Sequence, residues 1–392
     1  MTDEEWRWFL QQVEGRERTA DKLPTFAQIE DWWYPVRLSC EQCSSELAAR
    51  YKAELVVSPV RASLVVGSRM VDLTGGYGVD TYFLSERFAH TDYVEQNEEL
   101  CRIAEHNKGL WVTGYGLRDK GYGLRDISIH NSTAEEFLKT AGEYDLIFLD
   151  PARRDSHGGK VFRLEDCTPN VVELLPTLLR HGKQIMLKLS PMLDLTQAVR
   201  ELSAFSQVRP ASDIVWDVHV VAIKNEVKEV LVVSPVRASL EDRPQTITCI
   251  DLAEPEKAFV FTKEQETNCP LAISHSPFAF IYEPNAAILK AGAYKLVGAR
   301  YGLQKLDVNT HLYTSERLVT DFPGRKWKIE QVVRDRKDLP AELKQANVLT
   351  RNYPMTPEQL KKKLHLRDGG TAYMIGARIQ GKPTVVRATL IP

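Results

Sequence analysis

The chain predicts an α/β fold built on a mostly parallel sheet with helices on both faces, and three observations predict it. An apolar strand end runs into a glycine turn at Val71-Asp72-Leu73-Thr74-Gly75-Gly76-Tyr77-Gly78-Val79-Asp80. From residue 69 to 233, short apolar runs alternate with segments of helical spacing, the pattern of a parallel sheet covered on both sides. The last two apolar runs are separated only by Lys224-Asn225-Glu226, too little for a crossover helix. They must form a hairpin, so the final strand runs antiparallel.

Taken in order, residues 1–52 read as an N-terminal helical region. Trp6, Phe9, Leu10 and Val13 recur at helical spacing, as do Leu47, Ala48 and Tyr51, while Pro24 and Pro35 break the region into short helices. Trp32-Trp33-Tyr34-Pro35 reads as core packing. Residues 53–245 carry the Rossmann-like domain, with strands expected at 69–73, 92–95, 127–130, 146–149, 184–189, 214–223 and 227–233. Helices fit near 78–88, 97–107, 133–140, 168–180 and 194–203. Residues 246–322 are a mixed α+β segment in which Tyr282-Glu283-Pro284-Asn285 ends a strand and opens a helix. Residues 323–392 read as a small α+β module, with a Pro357-led helix at 358–365 and strands at 371–379 and 384–390.

Two segments repeat. Residues 55–64 recur identically at 231–240, and 114–119 recur at 121–126. Neither has a solenoid period, and both read as insertions tolerated at loops or strand edges.

At 392 residues and 43% hydrophobic content the chain is long enough for two or three domains. No apolar run reaches the length of a membrane span, and the acidic, Trp-containing start is not a signal peptide. Six cysteines in so long a chain are no disulfide framework, so a reducing cytoplasm is the expected compartment. Cys40-Glu41-Gln42-Cys43 has metal-ligand spacing but no second pair, and reads as helix surface; no metal is expected. The net charge of −2 hides an asymmetry: residues 321–392 carry fifteen Lys/Arg against seven Asp/Glu, or +8, leaving −10 on the remainder. A basic terminal module on an acidic body reads as a nucleic-acid grip, against the alternative of a solvated charged face.

The chemistry concentrates at strand ends. Glycines at 75, 76 and 78 let the backbone approach a ligand, and Tyr93-Val94-Glu95-Gln96 supplies an acid twenty residues beyond Gly75 for ribose hydroxyls. A dinucleotide would want a third glycine where Thr81 stands, and Asp72 would repel a pyrophosphate. Asp72 suits the ammonium of a methionine moiety, so S-adenosylmethionine is the favoured cofactor. Asp150-Pro151 ends a strand that is apolar on both faces, placing Asp150 in the crevice where such sheets bind ligands.

Together these motifs resemble class I S-adenosylmethionine-dependent methyltransferases, specifically a bacterial family with a ferredoxin-like segment (246–322) and a C-terminal THUMP-like domain (323–392). The resemblance rests on the glycine turn, Tyr93-Val94-Glu95-Gln96-Asn97, Asp150-Pro151-Ala152-Arg153-Arg154, Lys188-Leu189-Ser190-Pro191, Tyr282-Glu283-Pro284-Asn285 and Val348-Leu349-Thr350-Arg351-Asn352-Tyr353-Pro354. It implies a seven-stranded methyltransferase sheet and a cofactor held by Asp72, Thr74, Gly75, Gly76, Gly78, Asp80, Glu95, Gln96, Asn131, Ser132 and Asp150. It also implies tRNA or rRNA as partner.

In amine methyltransferases an Asp/Asn-Pro-Pro-aromatic motif holds an exocyclic NH2. Here Ala152 and Arg153 replace its last two residues, so Asp150 carries over and base stacking does not. Asp150, Pro151 and Lys188 are the expected catalytic residues, and Arg153 and Arg154 the substrate contacts. Methylation at pyrimidine C5 would need a cysteine nucleophile, and Cys167 between acids is a poor one. The expected activity is methylation of an exocyclic base amine in RNA, guanine N2 favoured. A small-molecule or protein methyltransferase, or a non-catalytic RNA-binding protein, are the alternatives.

Overall fold

The structure is a computed structural model that describes residues 1–56, 67–114, 126–153, 163–204, 215–234, 244–274 and 279–392. The chain folds as two compact units, residues 1–218 with 229–244, and residues 219–228 with 245–392.

The first unit opens with four helices, α1 (Asp3–Thr19), α2 (Pro24–Gln28), α3 (Arg37–Gln42) and α4 (Glu46–Leu55). Helix α1 is helical as its spacing predicts, but its apolar stripe is not the face that packs inward. Trp6, Phe9, Leu10 and Val13 are exposed, and the inward side is Trp8, Gln11, Gln12, Gly15 and Thr19. The reason is polar. Gln11 and Gln12 donate to the Tyr34 carbonyl, Gln12 accepts from the Tyr34 amide, and a Cβ on Gly15 would overlap the Tyr34 side chain. Trp32 and Tyr34 are buried with Phe26, Tyr77, Tyr82, Phe83 and Trp111 in an aromatic core, and Trp32 donates to the Tyr77 hydroxyl at 3.0 Å.

The sheet follows in alternation: β1 (Arg69–Asp72), α5 (Val79–Ser85), β2 (His90–Glu95), α6 (Glu98–Gly114), β3 (Asp126–Asn131), α7 (Ala134–Leu138) and β4 (Tyr144–Leu149). A short pair, β5 (Ala152–Arg153) and β6 (Cys167–Thr168), leads to α8 (Val171–His181), β7 (Gly182–Leu189) and α9 (Leu195–Ala204). Strands β8 (Asp217–Ile223) and β9 (Glu226–Val233) close the series. Within the first unit the strand order is β9-β7-β4-β1-β2-β3, with β1, β2, β3, β4 and β7 parallel. β9 runs antiparallel to β7, as the short connection requires, with Lys188 opposite Leu231. The connection turns at Lys224 and Asn225, both at positive φ (52° and 63°), the conformation of a tight hairpin turn.

In the second unit Asp251 accepts from the amides of Lys224 and Asn225 and fixes that turn. The unit contains β10 (Ile247–Asp251), β11 (Phe259–Phe261), α10 (Lys263–Asn268), β12 (Phe280–Pro284), α11 (Ala286–Ala291), α12 (Leu296–Arg300), β13 (Gln304–Asp307) and β14 (Thr310–Ser315). β15 (Gly324–Val333), β16 (Asn347–Arg351), α13 (Pro357–Lys363), β17 (Ala372–Ile379) and β18 (Lys382–Ile391) complete it. Seven of these strands form one sheet in the order β13-β14-β12-β15-β18-β17-β16. Asn285 caps α11 as its position predicts. Strand β16 was not expected from its sequence. No helix among the described residues is long and apolar enough to cross a membrane.

Most of the repeated segments lies outside the described residues. What is described differs between copies: Leu55 ends helix α4, whereas its counterpart Leu231 is buried in strand β9.

Candidate active site

Parallel strands β1, β2 and β4 deliver their carboxyl ends to one cavity of about 330 Å³. That volume lies in the range of small-molecule sites, about 300–1,000 Å³. Val71 and Asp72 arrive on β1, and the chain then turns through residues 73–78 into α5. The turn is pinned by the Gly75 amide donating to the Val94 carbonyl (2.9 Å) and the Gly78 amide to the Gly75 carbonyl (2.8 Å). Gly75 packs against the Tyr93 ring so closely that a Cβ would overlap it. The Tyr93 hydroxyl in turn donates to the Gly76 carbonyl at 2.6 Å.

Glu95, at the end of β2, accepts from the Gly76 amide (2.9 Å) through Oε2 and from the Asn97 amide (2.8 Å) through Oε1. The acid therefore ties glycine turn to strand end. Asp72 is 1% exposed, with Oδ1 accepting from the Thr74 amide (3.0 Å) and Oδ2 from the Thr81 hydroxyl (2.5 Å). Burial pushes its carboxyl up to about 7; the bonds from Thr81 and Thr74 oppose the rise, and Asp80 and Asp150 add to it.

Asp150 stands at the end of β4, its amide donating to Thr74 Oγ1 at 2.7 Å. Its Oδ2 takes the Lys188 ammonium at 2.5 Å. Lys188 comes from the end of β7 and also lies 3.5 Å from Asp80 Oδ2. Asp80 is shared: Lys52 Nζ is 3.1 Å from its Oδ1, and the Ser44 hydroxyl donates to its Oδ2 at 2.7 Å. Lys52, wholly buried, donates in turn to both Glu229 oxygens at 2.6 and 2.7 Å. Burial works against the charge on Lys188, but Asp150, Asp80 and Glu229 outweigh it and raise its pKa. For Asp80 burial is likewise outweighed, by Lys52 and Lys188, and its carboxyl is held below the ordinary value.

Of the residues expected from the sequence, Asp72, Thr74, Gly75, Gly76, Gly78, Asp80, Glu95, Gln96, Ser132, Asp150 and Lys188 all line this cavity. Asn131 and Pro151 are not among the lining residues; the Asn131 amide donates to the carbonyls of Glu95 and Gln96. The side chain of Arg153, and Arg154 entirely, lie outside the described residues. Sequence reasoning missed Ser39, Gln42, Cys43 and Ser44, which bring the N-terminal helices to the cavity wall, and Lys52 and Glu229 behind it. The one available signal for Lys52 was its place on the buried stripe Ala48, Ala49, Lys52 and Ala53 of α4. Cys40 also departs from expectation: it faces inward, donating to the Pro35 carbonyl, and burial pushes its thiol up to about 12. No group of three or more His, Cys, Asp or Glu among the described residues could hold a metal.

Residues present fit S-adenosylmethionine: a close-packed glycine turn, an acid at the tip of each of the first two strands, and an acid at the fourth. The cluster of Asp150, Asp80 and Glu229 against Lys188 and Lys52, buried except at its Asp150 end, carries one net negative charge, which favours a cationic sulfonium over a pyrophosphate.

The fold and this site define a methyltransferase of class I architecture. Models of a ferredoxin-like domain and a THUMP domain-like module match residues 280–323 and 324–389. The crystal structure of a "putative methyltransferase" from Porphyromonas gingivalis W83 superposes with a TM-score of 0.82 at 31% identity, covering 100% of this chain and 91% of that one. The chain belongs to that methyltransferase family. Two Mycobacterium tuberculosis proteins, of strains CDC 1551 / Oshkosh and ATCC 25618 / H37Rv, are each described as an uncharacterised S-adenosylmethionine-dependent methyltransferase. Each is 24% identical over 239 residues, and the match spans 60% of this chain and 60% of theirs.

Proposed function

We propose that this protein transfers a methyl group from S-adenosylmethionine to an exocyclic base amine in structured RNA, tRNA or rRNA, with guanine N2 the favoured position. The observation that carries the reading is the placement of Asp150 on the same cavity as the glycine turn, with Oδ2 anchored by Lys188 and Oδ1 without a hydrogen-bond partner among the described residues, open to an incoming N–H.

S-adenosylmethionine would supply an electrophilic methyl group. The glycine turn and Glu95 would hold its sugar, and Asp72 its ammonium. Asp150 Oδ1 accepts an N–H of the acceptor amine, fixing the nitrogen on axis, and takes the proton that the nitrogen loses on methylation. Holding two reactants in line converts a bimolecular encounter into an effectively unimolecular step, the main contribution such a site makes. With its ammonium on Asp150 and Asp80, Lys188 serves this carboxylate ahead of any phosphate.

RNA as the partner is supported by the THUMP-like match and by exposed Lys362, Lys363 and Arg367 in the basic module. Arg325 and Arg351 are already paired with buried Glu283, and Arg387 with Glu330. The test is mass spectrometry of nucleosides from total RNA of wild-type and deletion cells. One methylated nucleoside should vanish on deletion, return with the intact gene, and stay absent with Asp150→Ala. An unchanged RNA profile would turn the assignment to a small-molecule or protein acceptor.

A further inference from the structure

We propose that Lys52, on the N-terminal helix α4, is a positioning residue that keeps Lys188 on Asp150 by occupying Asp80. The proposal rests on the reading that Asp150 receives the acceptor amine.

Five charges alternate along one line that is buried at Asp80, Lys52 and Glu229 and opens through half-buried Lys188 to Asp150, which is partly exposed at the cavity. Asp80 stands between two ammonium groups and is shared unequally, with Lys52 at 3.1 Å and Lys188 at 3.5 Å. Lys188 is 1.0 Å nearer to Asp150 than to Asp80. In a low-dielectric interior such differences in separation decide which pair dominates. The hydrogen bonds of Lys52 go to both Glu229 oxygens and the Ser44 hydroxyl, and it faces Asp80 Oδ1 as a charge at 3.1 Å.

Removing the Lys52 charge would leave the Asp80 carboxylate buried with Lys188 as its nearest cation. Lys188 carries a flexible four-carbon stem and would be drawn toward Asp80, off Asp150. Asp150 Oδ2 would then lose its anchor, and the carboxylate that holds the acceptor nitrogen would be free to rotate. Among the described residues Ser44, Cys43 and Asp72 also face this line and carry no cation, while Lys22, beside Cys43, is held by the carbonyls of Cys40 and Glu41. A buried ion array is also a poor choice for stability alone, because apolar packing of equal volume commonly does as well. Its extension from a helix of the N-terminal region to the acceptor end of the cavity is what a positioning device would need.

The experiment compares wild type, Lys52→Met, Lys52→Arg and Lys52→Met/Asp80→Asn. Its first readout needs neither cofactor nor RNA: the carboxyl-carbon NMR signal of Asp150 in the full chain, identified by its loss in Asp150→Asn. Lys52→Met should move that signal, and adding Asp80→Asn should return it toward the wild-type position. The second readout is methyl transfer to RNA from the deletion strain. Lys52→Met should lower kcat on the order of a hundredfold, the loss expected from about an ångström of misplacement, while S-adenosylmethionine affinity by calorimetry changes little. Lys52→Arg, which keeps the charge, should retain most of kcat. Where Lys52→Met fails to fold, Lys52→Met/Glu229→Gln removes one orphaned carboxylate and serves in its place. An unmoved Asp150 signal, or a loss of kcat that merely follows loss of folding or of cofactor affinity, overturns the proposal. A moved signal in a protein whose wild type methylates no RNA upholds it and sinks the RNA assignment instead.

Discussion

Among single residues, Gly75 and Asp72 make the sharpest demands. Gly75→Ala places a methyl group inside the Tyr93 ring, so either the turn or strand β2 must shift. The expected outcome is a loss of about 1–3 kcal/mol in chemical denaturation, typical of overpacking, together with weakened binding of S-adenosylmethionine in calorimetry. Asp72 makes the site sensitive to pH. Its carboxyl titrates near 7 in the folded chain against 3.8 ordinarily. A raised acid stabilises the ligand-free protein most below its unfolded pKa, and that contribution is lost as pH rises to about 7. Cofactor binding has the opposite slope, since a ligand ammonium wants the ionised form. Affinity should fall as pH drops through 7, and Asp72→Asn should flatten the profile. The strand-end residues were legible because each motif is contiguous and its chemistry is local. Lys52 and Glu229 were not, for they are 177 positions apart and meet only through packing.

At the level of elements, helix α1 shows how spacing names a helix without naming its inner face. The sequence offers an apolar stripe and a polar one, and the polar side docks because Gln11 and Gln12 satisfy the backbone of Tyr34. Gly15 lies at the closest approach. Gly15→Ala gains about 1 kcal/mol of helix propensity, yet overpacking against Tyr34 costs about 1–3 kcal/mol. The thermal midpoint should fall, whereas the same change at Gly109, where nothing lies within 4 Å, should raise it. The closing hairpin was legible from a three-residue gap because chain length alone forbids a crossover. Helix α4 and strand β9 make the contrary point, since the repeated decapeptide begins in a helix in one copy and in a strand in the other. Local propensity yields there to the surroundings.

For the molecule as a whole, the charge asymmetry gives a direct test of the nucleic-acid reading. Lys362 and Lys363 are exposed on α13, next to Lys361, which is paired with Asp368. Lys362→Glu/Lys363→Glu should weaken binding to deletion-strain RNA across all sequences. If both lysines meet phosphates, the slope of log affinity against log salt should also shallow by about two. The cofactor affinity should stay as in wild type. Matches to a ferredoxin-like domain and a THUMP-like module meet between residues 323 and 324, yet β12 and β15 on either side pair along five residues of one sheet. Cutting the gene at that seam would strip hydrogen-bond partners from both halves, leaving two raw strand margins prone to self-association. The two segments are therefore one heritable part, and a shuffled or trimmed relative carrying either alone would have to cover that margin some other way.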